Sequence, residues 1–276
     1  MNIIVLIGEK NMKIVTWNCQ GGFREKFEHI KLLKADIYVI QECTDPEASR
    51  GTEYEDYCKF AGEKGKDYYW IGNEPSEEVK SPKGLGIFVK NGLETELINN
   101  FYDDFKFFQL IRVKNSFNLM GVWAMPKYVE MIHDFYDAND DIFDENLIMC
   151  GDFNSNKRFN YKHTKKDKDG NAKNHTNLDK KLECKGLYSV YHKLTKENNG
   201  EESRFTFFQG RHLNYPFYLD YVYASEKIID KTELLALYKR EHDDIPNKFE
   251  ILDRYEWMKL SDHLPVVFEI DETLFE

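Results

Sequence analysis

The 276 residues contain no apolar run of membrane-spanning length, no Cys-x-x-Cys spacing, no linker rich in Pro, Gly or Ser, no internal repeat and no excess of positive charge. Each absence excludes something. A transmembrane helix needs about 20 consecutive apolar residues, and none is present. The opening Met1-Asn-Ile-Ile-Val-Leu-Ile-Gly8 is apolar, yet it has no basic start, is short for a signal core and lacks a small-residue cleavage pattern. Five cysteines, an odd number, make neither a disulfide framework nor a zinc signature. Cys19, Cys43 and Cys150 are expected as small buried hydrophobes, in a reduced, cytoplasmic compartment. With no linker and no repeat, one domain is expected over residues 12–276. Met12 directly precedes the first strand of interest, so residues 1–11 read as a short extension. A monomer with no membrane partner is expected. The 41% hydrophobic and 15% aromatic content suffices for a packed core and excludes a disordered or fibrous chain.

What is present begins with four strand ends. In Asn146-Leu-Ile-Met-Cys-Gly-Asp-Phe-Asn-Ser155 a short apolar run ends in Gly151, after which Asp152 and Asn154 sit at i and i+2 and face one way. Lys13-Ile-Val-Thr-Trp-Asn18 is a β-branched run ending in an amide. Asp36-Ile-Tyr-Val-Ile-Gln-Glu42 ends in a carboxylate, and Ser261-Asp-His263 places an acid and an imidazole before Leu264-Pro-Val-Val-Phe-Glu-Ile270. Buried strands that each deliver a ligand-type or proton-type side chain at one end describe a site held by a rigid sheet scaffold.

Between these lie an amphipathic helix (Phe23, Phe27, Ile30, Leu33), strands over Gly84–Val89, Phe107–Val113 and Ser116–Met125 joined through Lys114-Asn115, and a helix marked by Val129, Ile132, Phe135 and Tyr136. A weaker helix is predicted over Leu178–Cys184, and strands over Phe205–Phe208 and Tyr218–Tyr223. Strands in clusters separated by a few helices suit two packed sheets flanked by helices.

These residues fit the phosphodiester hydrolysis that a resemblance to the endonuclease/exonuclease/phosphatase superfamily implies. Hydrolysis needs an activated water, neutralisation of charge on the phosphoryl oxygens and help for the departing alkoxide. Glu42 is the leading ligand for Mg²⁺ (or Mn²⁺), Asp262 the second carboxylate, directly or through water, and Asn18 a further metal-site residue that orients a ligand or phosphate without adding charge. Asp152 is expected ionised at neutral pH, aligning or deprotonating the water, with Asn154 bonding the phosphoryl oxygen or the water. Asp220 stands inside the apolar strand Phe217-Tyr-Leu-Asp-Tyr-Val-Tyr223, where an unpaired carboxylate would be costly, so it is paired with His263, fixing that ring's tautomer. The net charge is −11, yet residues 156–181 hold nine Lys or Arg against three Asp; Lys157, Arg158, Lys165 and Lys166 are therefore candidate contacts to a phosphate backbone.

In this order, Trp17-Asn18, Ile40-Gln41-Glu42, Gly151-Asp-Phe-Asn154, Leu219-Asp-Tyr-Val222 and Ser261-Asp-His-Leu-Pro265 resemble the endonuclease/exonuclease/phosphatase superfamily over nearly the whole chain. The resemblance implies a four-layer α/β/β/α sandwich of two mixed sheets flanked by helices, a divalent-metal-dependent phosphodiesterase, Glu42 as metal ligand, and an Asp220–His263 pair whose imidazole touches the scissile phosphate. A nuclease acting on DNA is the leading expectation; a phosphatase or phosphodiesterase acting on a compact phosphorylated molecule or lipid headgroup is the alternative. The chain departs from many nuclease members in carrying Tyr218 where they have Arg, and Trp123 where they have Tyr or His at a strand end. It is similar to a bacterial and viral branch with Gly-Asp-Phe-Asn-Ser-Asn and Gly-Leu-x-Ser-x-Tyr-His, here Gly186 to His192, which adds His175 and His192 as candidate site residues.

Overall fold

The computed structural model describes residues 11–51, 53–73, 76, 82–98, 101, 105, 107–114, 116–230, 232–236 and 254–271. Residues 1–10 and Asn115 of the expected connection lie outside them. Two six-stranded mixed sheets form the centre. The first contains β1 (Asn11–Asn18), β2 (Ile37–Thr44), β3 (Tyr68–Gly72), β4 (Lys83–Val89), β13 (Thr232–Ala236) and β14 (Val266–Asp271), in the order β13-β14-β1-β2-β4-β3. The second contains β5 (Thr95–Leu97), β6 (Phe108–Val113), β7 (Asn118–Trp123), β8 (Leu147–Asp152), β9 (Leu187–Ser189) and β12 (Asp220–Ser225), in the order β5-β6-β7-β8-β12-β9. A separate short pair joins β10 (Phe207–Phe208) to β11 (Pro216–Phe217).

Strand alternation explains the layers. In β1, Met12 and Ile14 enter the core between the sheets, while Val15 and Trp17 face outward under α1 (Phe23–Lys31), α2 (Glu55–Ala61) and α7 (Arg254–Leu260). In β8, Ile148 and Cys150 enter the same central core, and Leu147 and Met149 meet α3 (Val129–Ala138), α4 (His175–Cys184) and α5 (Val190–Thr195) on the opposite outer face. A short α6 (Glu226–Ile229) follows β12. The result is the expected α/β/β/α sandwich, with no helix among the described residues long and apolar enough to cross a membrane.

Topology gathers the chemistry. β1 runs parallel to β2, with Asn18 opposite Gln41, and β7 runs parallel to β8, with Trp123 opposite Asp152. Their antiparallel neighbours begin where they end: Asp220 of β12 lies opposite Asp152, and Val266 of β14 opposite Thr16. Since β1 and β2 also pack on β8 across the core, all these ends share one edge of the molecule.

Several boundaries differ from expectation. The Phe205–Phe208 strand contracts to two residues outside the main sheets, because residues 206–208 instead bond to residues 262–264, Phe208 N–H donating to Asp262 O at 2.8 Å and Leu264 N–H to Thr206 O at 2.7 Å. The strand read from Tyr218 starts at Asp220 and runs on to Ser225. The helix read from Leu178 starts at His175, where the Asn174 side chain caps it by accepting from Asn177 N–H.

Candidate active site

Glu42 reaches the site through a defect in its strand. Gln41 pairs with Leu85 and Cys43 with Gly84, so Glu42 is the extra residue of a bulge, and its φ is +60°. A bulge bends the strand and re-aims the side chain it carries, here toward the edge where β1 ends. Asn154 has a similar history. It does not continue the alternation of β8 but takes a left-handed φ of +47°, which folds its amide back on Asp152. Its backbone N–H donates to Asp152 Oδ1 and its side-chain Nδ2 to Oδ2, both at 2.8 Å. Gly151, at φ +148°, makes room for this turn: a Cβ there would lie 1.9 Å from the Val122 carbonyl oxygen of the neighbouring strand.

Asn18 joins the two halves. Its Nδ2 donates to Glu42 Oε1 at 3.1 Å and to Asp152 Oδ2 at 2.9 Å, while its Oδ1 accepts from Gln20 N–H at 3.0 Å. The amide nitrogen, not the oxygen, faces both carboxylates, so Asn18 orients the acids; the expectation of a metal-site residue is corrected to that extent. Ser261 completes the frame, donating to Asn18 O at 2.7 Å and accepting from His263 N–H at 3.0 Å. No role was foreseen for it, although it opens the motif that ends at Pro265.

His263 Nδ1 and Asp220 Oδ2 are 2.8 Å apart in full burial, so Asp220 pairs with the imidazole as the apolar strand required. Two backbone N–H groups, of Leu219 and Asp220, converge on Thr206 Oγ1 and hold the start of β12. His263 Nε2 points to Asp152 Oδ2, 4.0 Å away. Burial pushes the imidazole's ionisation down, but Asp220 and then Asp152 more than reverse it, holding the ring protonated up to about 10. Asp152 is pushed up to about 7, mainly by burial and against the pull of His263. Without a divalent cation beside it, removal from water thus outweighs the charge of His263 at Asp152; the expected ionisation at neutral pH belongs to a carboxylate next to a bound cation.

The donor set suits a hard divalent cation. Asp262 is half-buried and its carboxyl is pushed up, first by burial and also by the charge of Glu42. Glu42 Oε2 already holds a cation, the Lys83 ammonium at 2.5 Å. No basic partner follows Glu42 in sequence; this one comes from the first residue of β4, 41 positions away, which is why sequence reading missed it. Two carboxylates, one of them neutralised only by an exposed lysine, beside a steering amide match the Mg²⁺ and Mn²⁺ preference for carboxylate oxygen. Atoms of Asp152, Asp220 and His263 also lie within 4.8 Å of one another, but there the imidazole already supplies the positive charge.

Other candidates fall elsewhere. Trp123 ends β7 beside Asp152, 8% exposed and tilted against Phe107, a packing position. His175 is fully buried, with Nδ1 on Ser155 Oγ at 2.9 Å and Nε2 against Asn199 at 2.6 Å. His192 spans Ser189 and Glu202, and Glu202 in turn accepts from Asn156 at 3.0 Å. Both histidines thus brace the loop after Asn154 from within, which corrects their expected contact with substrate. Lys157 and Arg158 are exposed beside that loop, with Arg158 Nε donating to Gly200 O. Lys165 is held by Glu130 at 2.7 Å, and Lys166 lies on the exposed face of the hairpin pairing it with Ala172.

A sequence profile of the Endonuclease/Exonuclease/phosphatase family matches residues 15–263. The chain belongs to this family. Its metal-dependent members hydrolyse phosphodiester bonds, and the buried acid and histidine cluster is the matching chemistry here. Solved structures share the fold: the endonuclease domain of a telomere-specific non-LTR retrotransposon, 16% identical, covers 95% of this chain and 99% of its own, with a TM-score of 0.54. The catalytic domain of human nocturnin, with bound sulfate, is 17% identical over 96% and 94% at 0.54. An AP endonuclease from Leishmania major is 13% identical over 95% and 88% at 0.56. A search of curated protein sequences finds no match.

Proposed function

We propose that the chain is a divalent-cation-dependent nuclease, a single-domain cytoplasmic monomer whose substrate is DNA. The observation that carries this reading is the Asn18 amide joining Glu42 to Asp152, with the Asp220–His263 pair aimed at the same carboxylate. A cation held by Glu42 and Asp262 would neutralise charge on the phosphoryl oxygens and the departing alkoxide. Asp152 Oδ2, fixed by the amides of Asn18 and Asn154, accepts the proton of the attacking water. The protonated Nε2 of His263 offsets charge on the phosphoryl group, and Asp220 keeps that ring charged and oriented. Asn154 Nδ2 lies close enough to Asp152 to share its bond with a phosphoryl oxygen. The retrotransposon and Leishmania relatives are endonucleases, which favours nucleic acid as the substrate class.

One observation favours a compact phosphodiester instead. In the basic segment Lys165, Lys173 and Lys181 are bound to Glu130, to Asp134 and to Asp137 with Asp167, so those cations are already paired with acids of the protein itself. Cleavage of plasmid DNA, abasic duplex, RNA and a small phosphodiester, with and without chelator, tests the reading. Replacing Lys165, Lys166 and Lys168 with Gln separates the substrates: each DNA phosphate that the variant no longer neutralises lowers the log–log salt slope by about 0.9. An unchanged slope assigns the segment to the surface and the compact substrate to the site. Full hydrolysis by protein shown to be metal-free overturns the reading altogether.

A further inference from the structure

We propose that Lys83 is a displaceable internal cation, which occupies Glu42 until a divalent ion binds and is then released toward the substrate's phosphate. The inference rests on the metal-site reading above and adds a residue to it. Lys83 Nζ lies 2.5 Å from Glu42 Oε2 while Oε1 is held by Asn18, so both oxygens of the acid are engaged. The lysine's stem passes over Gly21, where a Cβ would come within 2.8 Å of Cε; the bare glycine leaves the side chain its path. Two other cations stand around the same loop, and both are tied to neutral oxygens. Lys26 donates to the carbonyls of Cys19 and Gly21, each at 2.7 Å. Arg211 donates to Gln20 Oε1 at 2.6 Å and to Lys259 O at 2.8 Å. Lys83 instead engages an acid assigned to the metal.

Its exposure makes it movable. The Lys83 side chain is 49% exposed against 20% for Glu42. An ion pair this open to water is weak, whereas a divalent ion brings twice the charge to the same oxygen. A lysine suits such an exchange: it is a compact point charge on a flexible stem, without the rigid fork by which arginine grips a carboxylate. Once displaced, the ammonium stays within a side chain's length of the scissile position, among cations that already repel it, and a phosphate is the nearest partner an incoming substrate offers.

The test is Mn²⁺ titration of the full chain, wild type and variants, followed by electron paramagnetic resonance of the free ion. Lys83→Met is expected to tighten Mn²⁺ binding by roughly two- to fivefold, and Lys83→Arg to weaken it. With bis(p-nitrophenyl) phosphate at saturating Mn²⁺, Lys83→Met should raise KM severalfold with a smaller change in kcat. A merely structural lysine would not move metal and substrate affinity in opposite directions. Lys83→Gln repeats the test should the Met variant lose its near-ultraviolet circular dichroism. Unchanged or weaker Mn²⁺ binding in the folded variants overturns the competition, and an unchanged KM overturns the release toward phosphate. Wild-type protein that binds no Mn²⁺, or Glu42→Ala that binds it equally well, overturns the metal-site reading itself.

Discussion

Replacing Asp220 with Asn tests the logic of the site most directly, because it removes one charge and almost no volume. In the wild type the imidazolium of His263 is buried against Asp220 at 2.8 Å and Asp152 at 4.0 Å. Raising its ionisation from 6.5 to about 10 corresponds to about 5 kcal/mol at 1.36 kcal/mol per unit. Asp220 is the larger of the two contributors and the only hydrogen-bonded one. Removing one partner of such a pair is expected to destabilise the protein by about 3 kcal/mol. The pH dependence has a definite sign. A histidine whose ionisation is raised by folding contributes stability that is complete below its unfolded value near 6.5 and is lost as pH rises through about 10. Urea unfolding in chelator should therefore show the full gap between wild type and Asp220→Asn at pH 6, a smaller one at pH 9 and little above pH 10.5. Activity at pH 7 with Mg²⁺ should fall by about 10²–10⁴-fold, since the ring loses both its orienting acceptor and its charge. A gap of equal size at pH 6 and pH 10.5 would refute the ionic account, and wild-type turnover would refute the assignment of His263 to the reaction.

Asp152→Asn should lose about 10³-fold in activity while keeping a cooperative unfolding transition, because the turn that brings both Asn154 amides onto residue 152 is set by Gly151 and not by the carboxylate; near-ultraviolet circular dichroism and a rate assay check it together. Gly151→Ala is expected to cost about 3 kcal/mol or more in the urea midpoint, its Cβ meeting the Val122 carbonyl at 1.9 Å; a wild-type midpoint contradicts the close approach. Asn18→Ala removes the donor shared by Glu42 and Asp152 and should weaken Mn²⁺ binding by about 10–100-fold, measured by calorimetry.

What could be read from the chain follows the reach of each interaction. A strand run and its end are local, so the apolar runs that deliver Asn18, Asp152 and the Ser261–His263 group were legible in the order of residues alone, while the separate cores that Ile14 and Val15 enter came from the structure. The Asp220–His263 pair was legible because an acid in an aromatic strand demands a partner, and the structure supplies it. Three features were not. The bulge at Glu42 depends on how β2 meets β4, a pairing about 40 residues away that no local pattern encodes. Lys83 became a partner of Glu42 through the same pairing. His175 and His192 entered as candidate site residues through the resemblance to one branch of the family, yet their ring nitrogens are satisfied by Ser155, Asn199, Ser189 and Glu202. Helices α2 and α7, seven residues each, are too short for a periodicity to declare itself.

The bulge has a consequence for how this protein tolerates change. A residue in a regular ladder is fixed by its neighbours on both sides, so altering its direction means disturbing the core. Glu42 stands outside the ladder, and the pairing closes around it from Gln41 to Cys43. Deleting that single residue would leave β2 and β4 in continuous register from Ile37 to Thr44, with the buried faces of Ile37 and Val39 where they were. The shortened chain would be a more regular protein than its parent and, on the metal-site proposal, an inert one: the acid proposed for the cation exists as an interruption of the fold that carries it.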